Sequence, residues 1–140
     1  MSADLKAIIR KSVEQFNNPS TRQKYLELYD ANATIHGLPM PVPPGITGIK
    51  MYYGALWNAF PDAKVVLDDL VSEGDRIALR FTFTGTHKGE FLAPPTNKKI
   101  SVGGHTILRM ADGKCIERWN LLDSVALMTQ LGLMPPPSAK

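Results

Sequence analysis

Cysteine is nearly absent from this 140-residue chain. With Cys115 alone no internal disulfide can form, and no Cys-x-x-Cys pair or Cys/His cluster offers zinc ligands, so a metal-free protein is expected. No stretch approaches the roughly 20 consecutive apolar residues that a membrane span needs, which excludes a helical membrane protein. Clustered positive charge is missing too. The net charge is +3, but the longest basic run is Lys98-Lys99, and the other cations are interspersed with acids such as Glu14, Glu27 and Glu117. Charge spread in this way reads as a solvated face and not as a nucleic-acid site. Met1 to Arg10 carries Asp4 in a helical pattern where a secretion signal would have a basic stretch and then an apolar run, so a cytoplasmic protein is expected. There is no Walker loop, G-x-G-x-x-G, G-x-S-x-G or H-E-x-x-H, which removes nucleotide cofactors and serine hydrolysis from consideration.

What is present divides into two grammars. Leu5, Ile8, Ile9, Val13 and Phe16 recur at helical spacing, predicting an amphipathic helix from Ala3 to Phe16 that Asn17-Asn18-Pro19 stops. Ser20 with Gln23 suggests a capping box for a second helix carrying Tyr25, Leu26 and Tyr29. Ala33 to His36 is a short β-leaning run. Gly37 to Gly45 is too proline-rich for helix or inner strand, and a third helix is predicted from Ile46 to Phe60, closed by Pro61. From Ala63 the period changes from 3.6 to 2. Strands are predicted at Lys64–Ser72, Arg76–Thr86, Lys99–Met110 and Lys114–Leu122, with a type I′ turn at Asp112-Gly113 and a last helix from Asp123 to Gly132. Helices followed by consecutive hairpins predict one α+β domain over residues 1–134, a curved sheet wrapped around the N-terminal helices with a deep internal pocket, and a loose tail at 135–140.

The chemistry-bearing residues are few. No two of the histidines stand at metal-ligand spacing. His36 ends the short strand before the proline-rich loop, His105 lies mid-strand, and Asp123 sits where a strand becomes a helix; the three can converge in the cleft as a proton-transfer set. Each also has a purely structural reading. Asp123 is placed to cap the last helix, His105 to be a satisfied sheet histidine, and His36 to hydrogen-bond its own loop. Trp57, Phe81 and Trp119, with Phe83, read as core and pocket wall. His87, near a hairpin end, is assigned a turn or solvent-facing position, and Cys115, with no histidine near it in sequence, is not a nucleophile candidate.

The run from Ile107 to Asp123, with Arg109, Asp112-Gly113-Lys114, Glu117, Trp119 and Asp123 in place, followed by Gln130-Leu131-Gly132, resembles the end of a SnoaL-like polyketide cyclase. Gly85 to Glu90 and Pro94-Pro95-Thr96 resemble that family's middle, and Tyr29 to His36 its first strand. The resemblance implies a cone-shaped α+β barrel similar to nuclear transport factor two and a homodimer. It implies cofactor-free acid/base catalysis of an intramolecular aldol closure on an apolar or aromatic carbonyl compound, of a lyase or isomerase type. It places the acid/base on Asp123 and assisting histidines on His36 and His105; the pocket around them is expected to be shaped by Trp57, Phe81, Trp119, Tyr53 and Met40. Asn97 replaces the glycine the family commonly carries after Pro-Pro-Thr, a swap that keeps a left-handed turn available. Two other readings stay open: a non-catalytic ligand-binding or dimer-forming module, and an isomerase or epoxide hydrolase on the same fold, which would call for further pocket carboxylates or polar donors near Asp123.

Overall fold

The computed structural model describes the backbone of residues 2–135 and the side chains of residues 5–135, so most of the segment expected to be a loose tail lies outside the described residues. The order of elements is α1 (Ser2–Phe16), α2 (Arg22–Tyr25), a 3₁₀ turn (Leu26–Leu28), β1 (Tyr29–His36), α3 (Gly45–Ala59), β2 (Lys64–Glu73), β3 (Arg76–Thr86), β4 (Lys99–Ala111), β5 (Lys114–Leu122) and α4 (Ser124–Gln130). The second helix is shorter than its pattern predicted. Asn18 Oδ1 accepts from both the amide and the hydroxyl of Ser20, a local turn that removes Ser20 from capping, and the chain tightens after Tyr25 and is extended by Tyr29. The first strand therefore begins where the family resemblance put it and not at Ala33.

Five strands form one mixed sheet in the order β1-β5-β4-β3-β2, antiparallel throughout except that β1 runs parallel to β5. The β2/β3 and β4/β5 pairings follow from two-residue turns and β3/β4 is joined by the longer loop 87–98, whereas the parallel β1/β5 pairing joins the first strand to the last and needs the whole intervening chain as its crossover. Register shifts at Leu67/Asp69, Arg109/Met110 and Tyr29/Thr34 bend the sheet into a curl. The predicted I′ turn forms, with φ of 52° at Asp112 and 79° at Gly113. Gly132 takes φ of 80° beyond α4, and the Leu133 amide reaches Met128 O while the Gly132 amide reaches Thr129 O, a Schellman closure that ends the helix where the sequence indicated.

Alternation decides which side chains enter the core. On β3, Ile77, Leu79, Phe81 and Phe83 point inward; on β4, Ile100, Val102, Gly104, Thr106, Leu108 and Met110 do. Helices α1 and α3 lie over this concave face and complete the core with Ile9, Phe16, Ile49, Tyr53, Trp57 and Phe60. Gly104 is a close-approach position: a Cβ there would come within 2.5 Å of the Phe81 ring, so the glycine lets that ring lie flat across the sheet. His87 is fully buried, correcting its expected solvent-facing position. Its amide donates to Lys98 O, its carbonyl accepts from Asn97, its Nδ1 contacts the Thr96 hydroxyl and amide, and its ring stacks on Phe60 at 5.4 Å. It thus pins the loop between β3 and β4 to the end of α3. Among the described residues no helix is long and apolar enough to cross a membrane.

Cys115 is completely buried, and burial pushes its thiol up to about 11. About one thiol in a thousand is then ionised at pH 8. Native protein is expected to be inert to a thiol-reactive chromophore at that pH and to react fully once unfolded in urea; rapid labelling of the native protein would contradict this burial.

Candidate functional site

Helices α1 and α3, the concave sheet face, the Leu38-Pro39 corner and α4 enclose a cavity of about 380 Å³. Ile9, Tyr53, Phe60, Phe81, Phe83 and Leu127 represent its wall, which is mostly apolar and carries a polar network around Arg118 and Asn120. That size and composition suit a small organic ligand. Gly37 turns with φ of 87° where its backbone meets that of Asn120, so the proline-rich loop enters directly against β5 and contributes Leu38 and Pro39 to the rim.

Sequence reasoning missed this network. The hydroxyls of Tyr25, Tyr29 and Tyr53 form a triangle with O···O distances of 2.6, 2.9 and 2.9 Å. Arg118 Nη1 donates to Tyr25 at 2.9 Å and to Tyr29 at 2.7 Å, while its Nε donates to Asn120 Oδ1 at 2.7 Å. The Thr106 hydroxyl also donates to Asn120 Oδ1, at 2.7 Å. Burial pushes the Tyr25 and Tyr29 hydroxyls well above the ordinary phenol range despite the opposing pull of Arg118, so both are neutral donors. Two signals for this cluster were in the sequence: polar-tipped aromatics on inward positions need partners, and Arg118 shares the parity of Asn120 and Leu122 on β5.

The expected catalytic set does not converge in the cavity. His105 is exposed on the convex face, paired in register with Leu121. Parity explains it: Ile100, Val102, Leu108 and Met110 put the even positions of β4 inside, which sends position 105 outward. His36 is exposed; its Nε2 lies 2.7 Å from Glu117 Oε2 and its ring stacks on Trp119 at 5.5 Å. Glu117 also accepts from Arg109 at 3.0 Å. Asp123 is exposed and caps α4, its Oδ1 accepting from the Ala126 amide at 3.0 Å. Asp123 itself does not line the cavity, although Leu122 and Ser124 on either side of it do. Among the described residues no Asp, Glu or His lines the cavity.

Of the expected pocket wall, Phe81 and Tyr53 line the cavity. Trp57 does not: it is buried behind, in a cluster with Phe16, Tyr25 and Tyr53, under the Arg22 guanidinium. Trp119 belongs to a shallow groove on the convex face and carries Arg76 over its ring. Met40 packs partly buried against the core without reaching the cavity. Among the described residues no group of three His, Cys, Asp or Glu side chains is placed to hold a metal ion.

Hydrogen bonds from His36, then Arg109, hold the Glu117 carboxyl below its usual range. At Asp62 burial acts upward, but the Thr86 hydroxyl and amide, each at 2.7 Å, outweigh it and lower that carboxyl as well. Both are carboxyls whose folded-state affinity for protons is reduced, so their contribution is complete above the ordinary carboxylate range of about 4 and is lost as pH falls through the lower folded values. Melting temperature is expected to be flat with pH from neutrality to about 5 and to fall below 4. Glu117→Gln should flatten that acid limb, and an unchanged limb would show that the His36–Glu117–Arg109 cluster contributes nothing to it.

The comparisons with known proteins agree with this fold. The model of the family described as SnoaL-like polyketide cyclase matches residues 7–131. Among solved structures, AclR from Streptomyces galilaeus, described as a candidate hydroxylase, is 28% identical with a TM-score of 0.83, over 99% of this chain and 87% of that one. TsrD from Streptomyces laurentii is 26% identical with a TM-score of 0.84, over 96% and 98%. IdmH from Streptomyces antibioticus, described as a candidate polyketide cyclase, is 31% identical with a TM-score of 0.76, over 91% and 98%. No curated protein matches the sequence.

Proposed function

The chain belongs to the SnoaL-like polyketide cyclase family, and on that premise we propose that its cavity takes an apolar, polyketide-like carbonyl compound and closes a ring in it by proton transfer without a cofactor. The observation that carries this reading is the cavity itself, a mostly apolar enclosure with a polar network around Arg118 and Asn120, as needed to hold a hydrocarbon skeleton and fix its orientation. In the reaction a C–H flanked by carbonyls gives its proton to a carboxylate. The carbon so formed attacks a second carbonyl carbon, making the C–C bond, and that carbonyl oxygen takes a proton back, so no oxidant or reductant is consumed. Holding the folded substrate chain in a reactive arrangement supplies much of the acceleration. Asp123 is the acid/base of this proposal. Its neighbours Leu122 and Ser124 line the cavity, and among the described residues no group pairs with its Oδ2, which leaves that oxygen for the proton. Ring closure of an aromatic polyketide precursor, followed by absorbance with wild type and Asp123→Asn, tests the assignment; equal rates would remove it.

A second reading, ligand binding without turnover, is favoured by the absence of Asp, Glu and His from the cavity lining among the described residues. It predicts a ligand bound unchanged by both proteins.

Two copies are proposed to pair through the convex sheet face, where Val66, Val71, Ile107 and Leu121 are 56, 63, 43 and 73% exposed. Light scattering is expected to give twice the chain mass and Val71→Asp to halve it; a wild-type monomer at micromolar concentration would end this assignment.

A further inference from the structure

The guanidinium that lines the cavity has no anion. Among the described residues no carboxylate lies within 4 Å of Arg118, and its neighbour Glu117 is on the other face of β5, engaged by His36 and Arg109. The surrounding groups that titrate are Tyr25, Tyr29 on β1, Tyr52 and Tyr53 on α3, and Cys115 on β5. Burial raises Tyr25, Tyr29, Tyr52 and Cys115, so these supply no negative charge near neutral pH. Donors are left over as well. Arg118 Nη2 carries two hydrogens and reaches only the Thr106 hydroxyl, a long contact at 3.5 Å, so at least one of them has no acceptor among the described residues. Asn120 Nδ2 has no acceptor among the described residues, and both side chains line the cavity.

A half-buried cation faced only by neutral oxygens is incompletely compensated, and an anion entering the same cavity interacts with it more strongly than in water. We propose that Arg118 and Asn120 form an oxyanion site in the cavity, which selects substrates carrying an acidic 1,3-dicarbonyl and holds the enolate oxygen after the proton has left. The planar guanidinium edge suits the paired, coplanar oxygens of such an enolate. The C–H between the two carbonyls yields its proton to a base, and its electron pair is delocalised onto the oxygens that accept from Arg118 Nη2 and Asn120 Nδ2. This deepens the ring-closure reading and rests on it, naming the class of substrate and the group that stabilises its charge.

The test needs no turnover. With saturating wild-type protein, 1-phenyl-1,3-butanedione titrated by its enolate absorbance is expected to ionise about one pH unit or more lower than when free, at least tenfold in favour of the enolate. Arg118→Gln should abolish the shift while still binding 2-ethylnaphthalene, which has no oxygen to reach the site. An unshifted titration in wild type, a shift that survives in Arg118→Gln, or failure of wild type to bind the diketone would each overturn the proposal. Should Arg118→Gln not fold, wild type alone decides: 1-naphthoate is expected to bind at least tenfold tighter than 1-naphthamide, and equal affinity overturns the site. If Asp123→Asn closes rings at the wild-type rate and retains the diketone shift, the acid/base reading fails and the oxyanion site stands.

Discussion

Asp123→Asn is expected to lower the rate of ring closure by about 10²–10⁴-fold while leaving the melting temperature nearly unchanged. The two effects separate because the residue carries two roles on two oxygens. Oδ1 caps α4 through the Ala126 amide, and asparagine keeps an oxygen there that caps about as well as aspartate. Oδ2, proposed to take the proton, becomes an amide nitrogen that cannot. Asp123→Ala removes both functions, so the same loss of rate is expected together with about 1 kcal/mol of stability, a fall of about 3 °C in the melting temperature for a chain of this length. A fully active Asp123→Asn would leave the cap as the whole role of the residue and move the protein toward the binding-only reading.

The largest expected effect on stability belongs to Phe60. It closes α3 at 1% exposure, meets Phe83 edge-on at 5.6 Å and Phe91 at 5.9 Å, and stacks on the buried His87 ring. Packing here has no slack on the sheet side, where a Cβ added at Gly85 would sit 3.0 Å from the Phe60 Cβ. Phe60→Ala therefore empties a site shared by the helix end, β3 and the loop after it, and about 3–5 kcal/mol of destabilisation is expected, roughly 10–15 °C in the melting temperature. His87 would lose its stacking partner while its Nε2 already lacks a hydrogen-bond partner, so the loop it pins should also become the first site of proteolysis. A urea midpoint within error of wild type would mean that the cavity wall collapses into the gap at little cost.

Much of the fold was legible because its signals are local. The helix of α1, the period-2 strands, the Asp112-Gly113 turn and the Gly132 stop each depend on a few neighbouring residues, and each appears with small shifts in its ends. Even His105 was decidable, since the even-numbered apolar residues of β4 already put position 105 on the outer face. Other features depend on partners distant in the chain. Trp57 lies one layer behind the cavity that its helix lines, and the buried position of His87 follows from the pairing of a loop with the end of α3.

For the site, the division is the same. The Asp123 signature is written in consecutive residues, and its place at a strand-to-helix junction followed from local pattern alone. That Arg118 lines the cavity while Asp123 is exposed between two lining residues was decided only by tertiary structure. The guanidinium meets hydroxyls from α2 and β1, 93 and 89 residues away, and among the described residues meets no carboxylate. Sequence parity can turn a side chain inward, but whether the space it enters contains a counter-charge depends on every element that packs there.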